Sequence, residues 1–114
     1  MTSPQEALQK ARELISDPKR WTQEAYARDT DGVDNVNCGS DHIPEDSVCF
    51  CSIGAIAKAY GCNISAAECS TAFKLLEAGL DDEVGVYNDS HTHAEVLAAF
   101  DLAIARASSS EEKP

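Results

Sequence analysis

Cys49-Phe50-Cys51-Ser52-Ile53-Gly54-Ala55-Ile56-Ala57-Lys58-Ala59-Tyr60-Gly61 constrains the fold more than any other stretch of the chain. It is the longest apolar run, it contains no acidic residue, and small side chains (Ser52, Gly54, Ala55, Ala57, Ala59) dominate it. Small residues in an apolar segment let neighbouring backbones approach closely. Gly61 suits the left-handed conformation that ends many helices. The run therefore predicts a central buried helix, beginning near Asp46 or Ser47 and closed by Gly61, around which the other elements pack.

Those other elements carry start signals of their own. Ser3-Pro4-Gln5-Glu6 combines an N-cap serine, proline at the first helical position and a glutamate three residues on. Ala7, Leu8, Ala11, Leu14 and Ile15 follow at helical spacing, and Asp17-Pro18 ends the pattern. Ser65-Ala66-Ala67-Glu68 repeats the capping box and opens a helix over roughly 66–78, with Cys69, Ala72, Phe73 and Leu76 inward and Gly79 closing it. Thr92-His93-Ala94-Glu95 is a third such box, leading a helix over roughly 93–107. Trp21–Asp29 fits a short strand or a helical turn. Val84-Gly85-Val86-Tyr87 reads as an extended piece pairing with the segment around Tyr26. Residues 29–46 are rich in Asp, Asn, Gly and Ser and read as a long loop. The expected architecture is mainly α: about four helices around the small-residue helix, with one short two-stranded ribbon. It forms a single domain over 1–107, followed by a disordered polar tail, 108–114.

Charge narrows the partners. The formal net charge is −11, from 9 Lys/Arg against 20 Asp/Glu. It is uneven: residues 1–28 carry net +1 and residues 29–114 carry net −12. Such a balance opposes nucleic-acid backbones and anionic membranes and suits solubility, a basic protein partner or mimicry of a polyanion. No signal sequence is visible, and no apolar run approaches the roughly 20 residues of a membrane span. The 5 cysteines are an odd number, which suits reduced thiols in a cytoplasm better than a disulfide framework.

Chemistry has few places to reside. Cys38, His42, Cys49 and Cys51 form C-x3-H-x6-C-x-C, four soft ligands for a zinc-stabilised module, although their pairing is irregular for a tetrahedral site. Cys51 near a helix start is a candidate nucleophile, with His93 as base and Asn88 or Asp89 as orienter. His93-Ala94-Glu95 lacks the downstream cysteine pair of zinc deaminases, and Asp29-Thr30-Asp31-Gly32 does not align with a calcium loop. There is no phosphate-binding glycine loop and no cofactor signature.

Three segments taken together, Trp21-Thr22-Gln23-Glu24-Ala25-Tyr26-Ala27-Arg28-Asp29, Cys51-Ser52-Ile53-Gly54-Ala55, and Tyr87-Asn88-Asp89 followed by Thr92-His93-Ala94-Glu95-Val96, resemble a family of small bacterial and phage-associated proteins. That family's pattern runs approximately W-T-Q-x-A-x-A-R-D, C-x-x-G-A, W-N-D and T-x-x-E-V, and the match extends over residues 7 to 106. The resemblance implies a domain type without an assigned activity. It also implies that any site clusters Trp21, Arg28, Cys51, Asn88 and Asp89, with an Arg28–Asp89 ion pair holding the turn before the last helix as the structural alternative. The expectation is a non-enzymatic cytoplasmic interaction module, of phage or mobile-element association, offering acidic residues such as Asp81, Asp82 and Glu83 to a protein partner and using no cofactor. The alternatives are the Cys51 thiol enzyme and the zinc module.

Overall fold

The computed structural model describes residues 3–34, 36 and 42–112. Helix α1 spans Pro4–Leu14 and starts as its capping residues require: the Ser3 hydroxyl accepts the Glu6 N–H. A 3-10 turn, Pro18–Arg20, is capped by the Asp17 carboxylate. Two-residue strands follow, β1 at Ala27–Arg28 and β2 at Cys49–Phe50, then α2 (Ser52–Tyr60), α3 (Ile64–Glu68), α4 (Thr71–Glu77), α5 (Val84–Ser90) and α6 (His93–Glu112). The architecture is mainly α with one short antiparallel ribbon.

α2 is the central element, packing on α1, α3 and α5, while α6 lies across α1 and α4. Ile53, Ala55, Ile56 and Ala57 are buried with Leu8, Ile15, Phe50 and Phe100 in one core. Gly61 takes the left-handed conformation (φ 70°) expected at the C-terminus of α2. The N-terminus lies later than the sequence suggests. Cys49 and Phe50 are extended: Phe50 pairs with Ala27 and Cys49 with Arg28, and Trp21 bridges to Phe50. The helix begins only after Cys51, whose Sγ accepts the Gly54 N–H as an N-cap.

Three further expectations are corrected. Val84–Tyr87 is not a strand pairing with Tyr26 but the first part of α5, with Val84 buried. β-branched valines favour strands only weakly, and burial beside α2 and α4 decides the conformation. The ribbon partner of the 27–28 strand is β2 instead. The helix expected over 66–78 is two helices: Asn63 caps α3, and Ser70 caps α4 by accepting the Phe73 N–H. The break turns Cys69, expected inward, to solvent. The capping box at residue 92 stands. Thr92 N–H donates to the Glu95 carboxylate and Thr92 Oγ1 accepts the Glu95 N–H, opening an α6 that continues to Glu112.

Gly54 shows why the apolar run is built of small residues. The Tyr26 carbonyl sits over the first turn of α2, where it accepts the Cys51 N–H at 3.1 Å. A methyl group on Gly54 would overlap that carbonyl. Gly85, also helical, has room: an added Cβ would make only ordinary contact with Ile53 Cδ1, at 3.6 Å. Gly54→Ala is expected to lower the unfolding free energy by about 2–3 kcal/mol, an overpacking cost. Gly85→Ala is expected to raise it by up to about 1 kcal/mol, the helix-propensity gain. Urea denaturation of the two variants checks both signs.

Candidate functional site

The segment 21–28 has no regular structure until its last two residues, yet it is held at nearly every position. Asn88, on α5 and only 1% exposed, is the anchor. Its Oδ1 accepts from Trp21 Nε1 (2.8 Å), the Ser52 N–H (2.9 Å) and the Ser52 hydroxyl (2.8 Å). Its Nδ2 donates to the Thr22 carbonyl (3.0 Å) and to Asp89 Oδ1 (3.1 Å). Gln23 Nε2 donates to the carbonyls of Asn88 and His91, occupying acceptors left free at the end of α5. One side chain thus ties three pieces of chain together: the irregular segment, the start of α2 and the last turn of α5.

Arg28 and Asp89 do not form the expected ion pair. Arg28 donates to Thr22 Oγ1, the Gln23 carbonyl and the Gly32 carbonyl, folding its guanidinium back on its own segment. Asp89 Oδ1 instead accepts the Glu24 N–H at 2.9 Å. Glu24 is the one non-glycine residue with positive φ (65°) among those described. A side chain there costs about 1–2 kcal/mol relative to the right-handed region, and the bond to Asp89 helps hold it.

Cys51, as the N-cap of α2, is 5% exposed. Burial pushes its thiol up to about 11, outweighing the Gly54 and Ile53 N–H groups that favour the thiolate, and the Asp89 charge acts in the same direction as burial. The helix start therefore does not acidify it. His93 is committed elsewhere: its Nε2 lies 2.6 Å from the Ile15 carbonyl. A carbonyl only accepts, so that nitrogen carries the proton. The His93 ring packs against Trp21 with centroids 5.4 Å apart. No hydrogen bond joins Cys51 to His93 among the described residues. Of the four zinc candidates, Cys38 lies outside the described residues, His42 is exposed, and Cys49 and Cys51 are buried. No cluster of three or more potential metal ligands occurs among the described residues.

What the pinned segment and α5 enclose is a cleft of about 730 Å³. Its apolar lining includes Ala25, Tyr26, Ile53, Phe73, Val84 and Val86, and Cys51 lies among them. Tyr26 is 37% and Val86 50% exposed, more than aromatic and branched side chains require for packing alone. Six carboxylates line the same cleft: Glu24, Asp34, Glu68, Glu77, Glu83 and Asp89, with no Lys, Arg or His. The side chains of Glu24, Glu68, Glu77 and Glu83 make no hydrogen bond or ion pair to the described residues. Sequence reading placed an acidic patch at Asp81, Asp82 and Glu83. Only Glu83 reaches the cleft, while Asp81 and Asp82 are exposed in the turn before α5. Glu24, Glu68 and Glu77 escaped notice because they lie far apart in sequence on separate elements.

Fold and cleft together define a small, mainly helical domain with an anionic recess and no recognisable catalytic constellation among the described residues. The chain belongs to the Family of unknown function (DUF6197), whose model matches residues 1–106. No curated protein and no solved structure matches it. Among the described residues, no helix is long and apolar enough to cross a membrane.

Two measurements test the geometry. Asn88→Ala strands three donors, the two of Ser52 buried and that of Trp21 half-buried, and is expected to cost at least about 3 kcal/mol. Asn88→Asp should cost as much at neutral pH, because it sets a carboxylate against Asp89 and the Thr22 carbonyl. For Cys51, the unfolded thiol releases its proton near 9.0 and the folded one near 11. Between those values the unfolded chain binds fewer protons. The contribution is therefore complete below about pH 9 and is lost as pH rises toward 11, by about 2–3 kcal/mol. Cys51→Ser keeps a capping atom and removes the titration. Wild-type stability should therefore fall relative to this variant between about pH 8 and pH 11. Iodoacetamide at neutral pH should label exposed Cys69 well before Cys51.

Proposed function

We propose that this chain is a non-enzymatic protein-interaction module of the cytoplasm that seats a basic, partly apolar segment of a partner protein in the cleft between the 21–28 segment and α5. The observation that carries this reading is the combination in one recess of six carboxylates, no cation and exposed apolar side chains. Carboxylates gathered without counterions repel one another, and a Lys- or Arg-bearing ligand relieves that repulsion on binding. The apolar lining supplies the area that charge alone lacks. Glu24 adds a second reason: a strained backbone position is retained at the rim of the recess, and strain tends to persist where function holds it.

Burial of the Cys51 thiol and the engagement of His93 with the Ile15 carbonyl favour this reading over a thiol enzyme. The resemblance to phage-associated proteins is compatible with a partner-binding role, since it brings no catalytic signature.

The test is titration of a short fluorescein-labelled peptide that alternates Lys with Leu, followed by the anisotropy of the label. Micromolar binding at low salt is expected, weakening at least about tenfold on raising salt from roughly 50 to 300 mM. Glu68→Lys with Glu77→Lys should weaken it by at least a further factor of about ten. Glu24→Gly should bind more weakly while remaining at least as stable as the wild type, since glycine relieves the positive φ. Equal affinity for the same peptide with its lysines acetylated would overturn the reading.

A further inference from the structure

A second depression, of about 320 Å³, shares no residue with the acidic cleft and has the opposite character. It is lined by Lys10 of α1, Arg20 of the 3-10 turn and Lys58 in the last turn of α2, with Leu14 and Ala59 as its apolar part and Glu13 as its one acid. In a chain with 20 acids and 9 Lys/Arg, a third of the basic residues meet at this one place. None of the three cations makes a hydrogen bond or ion pair to the described residues. Elsewhere the chain does use its arginines: Arg12 pairs with Asp101, and Arg28 donates to three acceptors.

Lys58 by itself would be accounted for by the negative end of the α2 dipole. The dipole does not account for Lys10 and Arg20 converging on it from two other elements. Like charges brought together without counterions raise the energy of the folded state, and an anion offsets that cost. The three cations and Glu13 sum to a formal charge of +2. That complements a phosphomonoester, which carries about −1.5 to −2 at pH 7. The guanidinium offers a bidentate fork to such a group and the ammonium groups act as point charges beside it. The volume is at the lower end of small-molecule sites, and Leu14 and Ala59 can cover the carbon side of the ester.

We propose that this depression binds a phosphomonoester group. The chemistry is common to a small metabolite and to a phosphorylated side chain, so the probes distinguish the two. Amide chemical shifts of the full chain are followed on adding phenyl phosphate or a phosphoserine tetrapeptide, with chloride at matched ionic strength as the reference. Saturable shifts confined to residues near Lys10, Arg20 and Lys58 are expected. Tighter binding of phenyl phosphate assigns a small molecule, and tighter binding of the peptide assigns a phosphorylated protein. Lys58→Gln should weaken either by about tenfold, the loss of one charge-assisted contact, with circular dichroism confirming an unchanged fold. The affinity should also fall several-fold between about pH 7.5 and pH 5 as the ester becomes a monoanion. Shifts equal to those caused by chloride, or affinity unchanged in both Lys58→Gln and Arg20→Ala, would overturn the proposal. Because the two depressions share no lining residue, failure here leaves the reading of the acidic cleft untouched.

Discussion

The hydrogen bonds of Asn88 are the constraint on which the rest of this structure depends. A primary amide buried to 1% exposure is costly unless both ends are satisfied. Here the oxygen takes three donors and the nitrogen reaches two acceptors. Because those partners come from the 21–28 segment, from α2 and from α5, satisfying one side chain fixes three pieces of chain relative to one another. The segment has almost no regular structure with which to position itself. Asn88 takes its Thr22 carbonyl and Asp89 its Glu24 N–H, while the Gln23 side chain ties it to the end of α5.

The acidic cleft follows from that arrangement. Once the segment is pinned over the start of α2, the Tyr26 carbonyl occupies the space above Gly54. Glu24 is then turned into its unusual conformation against Asp89. Carboxylates from α3, α4 and the turn before α5 face the same recess. Hydrogen bonds hold the near wall, apolar packing holds the floor, and the side chains of Glu24, Glu68, Glu77 and Glu83 keep their charge without a partner among the described residues. The burial that makes Cys51 a packing and capping residue also keeps its thiol protonated at neutral pH.

Much of the helical framework is legible in the residues. Ser3 caps α1 by accepting the Glu6 N–H, and Thr92 with Glu95 makes the reciprocal pair, because such caps are satisfied within four residues and need no tertiary partner. Gly61 ends α2 for a similarly local reason. Legibility fails where the deciding partner is distant. Cys49-Phe50 continues an apolar helical pattern, but its backbone pairs with residues 27–28 and with Trp21. Val84-Gly85-Val86 has strand-like composition, but Val84 is buried in a helix. Trp21, Cys51, Asn88 and Asp89 could be grouped as a cluster from their motifs. That Asn88 rather than Arg28 holds the cluster together could not be read, because hydrogen-bond partners 65 residues apart have no local signature.

By itself, then, the sequence determined a mainly helical fold, the caps of the first and last helices, a central helix of small residues and a strong negative charge, all of which depend on local spacing or on composition. Only the tertiary structure decided where α2 begins, that Gly54 is required by a carbonyl from another segment, and that Cys51 is a buried cap. It also decided which of the 20 acids share a recess. Each of these depends on groups remote in sequence competing for the same space, the same hydrogen bonds or the same field. The central run therefore announced that something must pack closely upon it, and the fold supplied the Tyr26 carbonyl.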